Sequence, residues 1–115
     1  MTHVRIPVEI ETHDRKLAFD IAGANGQLSV GTIVDIPGGA HIQLRGMIGR
    51  KAFGIAEVLQ FIIDASVNVD LALVAAWLYD KVKTKNIDRI TIRRRVITEI
   101  TEDGIRQVLE EEIRG

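Results

Sequence analysis

The chain contains no cysteine, which excludes a disulfide framework, a thiolate nucleophile and any zinc site built on sulfur. Aromatic residues make up only 4% of the 115 residues, too few to interleave with basic residues as a base-stacking platform. No charge dominates either. Fifteen Lys and Arg against 16 Asp and Glu leave a formal net charge of −1, which argues against a dedicated polyanion binder while leaving room for a local basic patch. A spanning helix needs about 20 mostly apolar residues. The most apolar stretch, Ala52 to Val82, is interrupted by Glu57, Gln60, Asp64, Asn68 and Asp70, so no membrane association is expected. The first residues carry neither the apolar core nor the cleavage site of a secretory signal, and a cytoplasmic protein is expected.

What is present suits one compact domain. With 46% hydrophobic residues, the chain has enough apolar material for a core and too little length for two. The N-terminal part alternates with period two. Val4, Ile6, Val8 and Ile10 share one face, with Arg5, Pro7, Glu9 and Glu11 on the other. Pro7 lacks a backbone donor, so that strand should lie at an edge or pair on one side only there. A second strand is read at Leu17, Phe19 and Ile21, a turn at Gly23-Ala24-Asn25-Gly26, a third strand from Leu28 to Ile36, and a shorter fourth at His41–Arg45 after Pro37-Gly38-Gly39. Together these predict a four-stranded antiparallel meander over 1–46.

The period changes after Gly46. Residues 47–85 read as a Gly-rich entrance followed by a long apolar central helix, continuous or broken at 66–70, where Ser66-Val67-Asn68-Val69-Asp70 combines poor helix propensity with capping residues. Residues 86–115 read as a β-hairpin with Arg93-Arg94-Arg95 at its tip, then an amphipathic helix. Thr101 is that helix's N-cap, and Ile100 and Ile105 form its hydrophobic staple. The expected class is therefore α+β: meander, apolar central helix, hairpin, amphipathic helix.

The second half of the central helix motivates a functional expectation. Leu71, Val74, Trp77 and Leu78, interleaved with Ala72, Ala75 and Ala76, leave almost no polar stripe. A surface helix needs an apolar stripe about 100° wide, and exposing more would leave a patch larger than monomers usually tolerate. These seven residues are therefore expected to form a homo-oligomer interface, a dimer or higher. The competing reading sandwiches the helix between its own sheet and the C-terminal helix.

Chemistry-bearing constellations are sparse. His3, His13 and His41 stand near Asp14, Asp20 and Asp35 but lack any metal-binding spacing, so no metal or cofactor is expected. Ser29 and Ser66 lack a nucleophile elbow. Glu57 and Asp64 would stand about 10 Å apart along a helix, a solvated face rather than an acid–base pair. The segment from Gly49 to Ala56 has the glycine spacing of a phosphate loop without its Lys and hydroxyl residue. What remains is Arg45, Gly49, Arg50 and Lys51 before an expected helix N-terminus, where an anion would be favoured. Arg93, Arg94 and Arg95 form a second basic patch, which Glu110, Glu111 and Glu112 of the last helix can neutralise within the subunit or across an interface.

The run Leu73–Val82, then Ile90-Thr91-Ile92, Val96–Ile105 and Leu109–Ile113 resembles small helix–hairpin–helix modules attached to bacterial conflict and defence proteins. The resemblance covers less than half of the chain, rests on hydrophobic positions, and implies an association or adaptor role with no active residue to carry over. The expected function is a non-enzymatic, self-associating interaction module with an unidentified protein partner. The alternative is a module holding a phosphate or nucleotide at the Gly-rich entrance. Nucleic-acid binding through the basic hairpin is less favoured than either, and an enzyme using the histidines less still.

Overall fold

The computed structural model describes residues 3–14, 16–23, 29–48 and 57–114. In chain order the elements are β1 (His3–Thr12), α1 (Leu17–Ala22), β2 (Ile33–Ile36), β3 (Ala40–Ile48), β4 (Glu57–Ser66), α2 (Leu71–Val82), β5 (Ile87–Ile92), β6 (Arg95–Val96) and α3 (Glu102–Arg114). The six strands form one sheet in the order β2-β3-β4-β1-β5-β6, and every neighbouring pair is antiparallel.

One face of the sheet is apolar because the strand alternation puts it there. Ile6, Val8 and Ile10 of β1, Leu59, Phe61, Ile63 and Ala65 of β4, Ile42 and Leu44 of β3, and Ile90 and Ile92 of β5 are all buried. They belong to the same core as Leu17 and Ile21 of α1, Leu71, Val74, Ala75 and Leu78 of α2, and Ile105 and Leu109 of α3. Burying each such large side chain contributes about 1.5–3 kcal/mol, so this single layer of contacts dominates the fold. Among the described residues the opposite face carries no helix.

The α+β class agrees with the sequence reading, but the expected layout does not hold. No four-stranded N-terminal meander exists. The meander is β2-β3-β4, and β1 is inserted between β4 and β5, paired with β4 along its whole length from His3↔Ser66 to Thr12↔Glu57. Leu17–Ala22 is a helix rather than a strand. Its buried residues, Leu17, Ala18, Ile21 and Ala22, fall at i, i+1, i+4 and i+5, one helical face. In a six-residue element, Leu17, Phe19 and Ile21 mimic period two, but Phe19 is exposed. The third strand is confined to Ile33–Ile36, and the expected turn at 24–26 lies outside the described residues.

The long central helix is likewise replaced by two elements, strand β4 and the twelve-residue helix α2. Gln60 and Asp64 are four residues apart, a spacing that fits one helical turn and two strand repeats equally well. In β4 both lie on the helix-free face together with Ile62, an apolar residue that hides the alternation. Residues 66–70 therefore join a strand to a helix and do not interrupt one. Asp70 caps α2 by accepting hydrogen bonds from the N–H groups of Ala72 (3.1 Å) and Leu73 (3.2 Å). The β2–β3 turn docks against this point: the Asp70 N–H donates to the Gly38 carbonyl at 2.8 Å.

Two other local readings agree with the structure. At Pro7, β1 pairs with β4 alone, because the β5 ladder runs only from Val8 to Thr12. Beyond it, the Arg93 N–H donates to the Pro7 carbonyl at 2.9 Å. Thr101 caps α3, its hydroxyl accepting from the Gly104 N–H at 3.0 Å, and Ile105 is fully buried against the core.

The far end of β1 is closed by polar contacts. The buried Thr12 hydroxyl donates to the Asn86 carbonyl at 2.7 Å and accepts from the Asp14 N–H at 2.9 Å. Lys85 Nζ stands 2.8 Å from Asp20 and 3.8 Å from Asp14, tying α1 to the chain that leaves α2. The hydrogen bond to Asp20, reinforced by both carboxylate charges against a smaller desolvation effect, raises the Lys85 ammonium above the ordinary lysine pKa.

Candidate functional site

The helix-free face of the sheet is where side chains are presented without being covered. Cross-strand register orders them in rows. Asp35, His41, Asp64 and Arg5 form one row across β2, β3, β4 and β1, and Ile33, Gln43, Ile62 and Pro7 form the next. A third contains Gln60, Glu9, Thr91 and Val96. Polar residues dominate, yet Ile33 is 62% exposed and Val96 52%.

The charges on this face are largely satisfied in pairs. His41 Nδ1 lies 2.7 Å from Asp35, and His3 Nδ1 lies 3.0 Å from Asp64. Arg89 Nε is 3.4 Å from Glu11. His13, outside these rows, meets Asp88 at 2.9 Å. Each histidine thus has one aspartate. Among the described residues no group of three His, Asp or Glu side chains is placed to hold a metal ion.

The hairpin tip gives the face its basic rim. Ile92 pairs with Arg95, so Arg93 and Arg94 are the two central residues of a tight turn, and both have positive φ, 46° and 70°. A two-residue hairpin of this hand normally uses Asn-Gly, because a Cβ disfavours that backbone region. Arg93 is fastened twice: Nε lies 3.2 Å from Glu112, and Nη2 donates to the Arg5 carbonyl at 2.8 Å. Arg95 pairs with Glu111. The acidic last helix therefore neutralises two of the three arginines within the same subunit. Arg94 is exposed and has no ion-pair partner among the described residues.

The residues expected to form an oligomer interface are placed differently from that expectation. Leu71, Val74, Ala75 and Leu78 are buried in the chain's own core. Ala76 and Trp77 are half-buried, and Ala72 is exposed. Lys81 covers the Trp77 ring, its Nζ 5.5 Å from the ring centre. The surplus of apolar surface inferred for this helix is absorbed by the sheet, α1 and α3. Of the expected anion site, Arg45 is exposed on β3, while Gly49, Arg50 and Lys51 lie outside the described residues. The helix N-terminus on which that site depended is replaced by strand β4, which begins at Glu57. No described helix is long and apolar enough to cross a membrane.

Sequence reasoning placed Arg5, Pro7 and Glu9 on one face but missed their neighbours Ile62 and Gln60, because β4 reads as helix. Ile33 carries the alternation signal that would have found it. No protein-family model, curated protein or solved structure matches the chain.

Proposed function

We propose that this chain is a non-enzymatic interaction module that associates with a second copy of itself through the helix-free face of its sheet. The observation that carries this reading is the row Ile33–Gln43–Ile62–Pro7, apolar at three of four positions, in the middle of a face that no described helix covers. Sheets with such a face pack against another sheet at about 10 Å, with their strands aligned or crossed. A second copy suits the chemistry. Asp35, Asp64 and Glu9 alternate across the face with His41, Arg45 and Arg5, and a surface of mixed sign does not repel its own copy in a two-fold contact.

Light scattering at micromolar concentration is expected to give a dimer. Ile33→Glu should return it to monomer, because it puts a charge into the centre of the contact. Leu73→Glu, on the exposed side of α2, should leave the dimer intact. A wild-type monomer, or dissociation by Leu73→Glu alone, would overturn the reading.

A further inference from the structure

The β5–β6 side of the same face holds a concavity of about 700 Å³ lined by Arg5, Pro7, Glu9, Thr91, Arg93 and Arg94. We propose that it is a binding site for a phosphoryl group, taken up chiefly by Arg94 and Arg5 with Arg93 as a fixed third donor. The site shares Arg5, Pro7 and Glu9 with the face proposed to meet a second copy, so phosphate binding is measured in the Ile33→Glu variant, in which that contact is broken.

Four observations converge on it. First, Arg94 occupies a position that glycine fills without strain, at φ 70°. It has no ion-pair partner among the described residues, so no described ion pair accounts for an arginine there. Second, Arg5 reaches the same concavity from β1 and, among the described residues, has no carboxylate partner either. Its cross-strand neighbour Asp64 is engaged by His3 at 3.0 Å. Third, Arg93 is pre-positioned. Its contacts to Glu112 and to the Arg5 carbonyl use Nε and one Nη2 hydrogen, and a guanidinium has five N–H donors, so three remain. Fourth, Thr91 adds a hydroxyl donor to the lining.

The ligand class follows from these groups. Arginine forks match the several oxygens of a phosphoryl group and hold it by charge-assisted hydrogen bonds. Among the described residues no Phe, Trp or Tyr lines the concavity, so it has no aromatic platform for a nucleobase. The recognised element is thus the phosphoryl group itself, carried by a small phosphate ester or by a phosphorylated side chain. Among the described residues Glu9 is the one carboxylate in the lining, and Gln60 Nε2 donates to it at 3.5 Å. Its charge opposes an incoming anion and sets the affinity below what three arginines alone would give.

The test is a titration of the full chain, carrying Ile33→Glu, with inorganic phosphate, followed by amide chemical shifts at constant ionic strength with chloride as the balancing anion. Saturable shifts are expected at Arg5, Thr91, Arg93 and Arg94. Arg94→Gln should weaken binding about tenfold, the equivalent of one charge-assisted contact, whereas Glu9→Gln should tighten it. Arg94→Gly should weaken binding at least as much while its melting temperature does not fall, which separates weakening of the site from loss of the fold. Phenyl phosphate and a phosphoserine peptide then distinguish the sources: equal affinities indicate a small ester, and a tighter peptide a phosphorylated chain. Shifts that follow chloride equally, or an affinity unchanged in both Arg94→Gln and Glu9→Gln, would overturn the proposal.

Discussion

Arg93 Nε and Glu112 Oε2 lie 3.2 Å apart, fastening the tip of the β5–β6 hairpin to the last turns of α3. The Glu112 side chain is only 17% exposed, so this pair is better shielded than the neighbouring one between Arg95 and Glu111, whose side chains are 46% and 44% exposed.

The difference in shielding predicts a difference in energy. Glu112→Gln should destabilise the protein by about 1 kcal/mol, because a partly desolvated guanidinium loses its counter-charge. Glu111→Gln should cost less than about 0.5 kcal/mol, as for most exposed ion pairs. Urea unfolding of both variants, with a double-mutant cycle on Arg93 and Glu112, measures this. Equal losses would show that solvent screens the two pairs alike.

Gly38 and Gly31 both have positive φ, 108° and 96°, but only Gly38 is crowded. A Cβ on Gly38 would lie 2.7 Å from the Asp70 carbonyl oxygen and 3.1 Å from the Leu73 Cβ, whereas one on Gly31 would meet nothing within 4 Å. Gly31→Ala should therefore cost only the backbone strain, about 1–2 kcal/mol. Gly38→Ala should cost about 2 kcal/mol more, because the β2–β3 turn must retreat from the N-terminus of α2. Denaturant midpoints of the two variants test the ordering, and a Gly38→Ala loss no larger than that of Gly31→Ala would refute the close approach.

These contacts also show which parts of the fold are legible in the sequence. The caps and the hairpin are local: Thr101, Ile105 and the Arg93-Arg94 tip act within a few residues, and their chemistry can be read without knowing the neighbours. The meander could not be read that way. Its last strand, β4, lies inside the six-stranded sheet between β3 and β1, and apolar residues on both of its faces (Ile62 and Val58 on one, Leu59 and Phe61 on the other) erase the period-two signal. The surface that the sequence marked as a site was misplaced for the same reason. Leu71, Val74 and Leu78 look surplus to a four-stranded sheet but are all consumed by a six-stranded one. Nothing local announces that β1 lies between β4 and β5, because that pairing joins residues as distant as His3 and Ser66.

Lys85 links pH to stability in a defined direction. Its pKa is raised in the folded protein, mainly by the hydrogen bond to Asp20. A raised lysine pKa means that the folded state holds the proton more tightly than the unfolded chain. The stabilisation is thus fully present below the ordinary lysine range, and is lost as the pH rises through the elevated folded value. Lys85→Met should be less stable than wild type from neutral to mildly alkaline pH, with the gap closing only at strongly alkaline pH. Thermal melts of both proteins across that range decide the matter, and a gap independent of pH would assign the effect to packing instead.

Arg94 offers a sharper separation between what the fold needs and what the surface presents. Its left-handed backbone costs about 1–2 kcal/mol relative to glycine, and glycine returns about 0.5–1 kcal/mol of that as freedom in the unfolded chain. Arg94→Gly should consequently be more stable than wild type by a few tenths of a kcal/mol to about 1 kcal/mol. Arg93→Gly relieves the same kind of strain but also removes the contacts to Glu112 and to the Arg5 carbonyl, so it should be destabilising overall by about 1 kcal/mol. Equilibrium denaturation of the pair gives opposite signs if this division is right. A sequence that keeps an arginine where glycine is the more stable residue is accepting local strain for a charge at the surface, the pattern expected where function and stability compete. A destabilised Arg94→Gly would instead mean that Arg94 holds the hairpin together, and the strain would then have a purely structural cause.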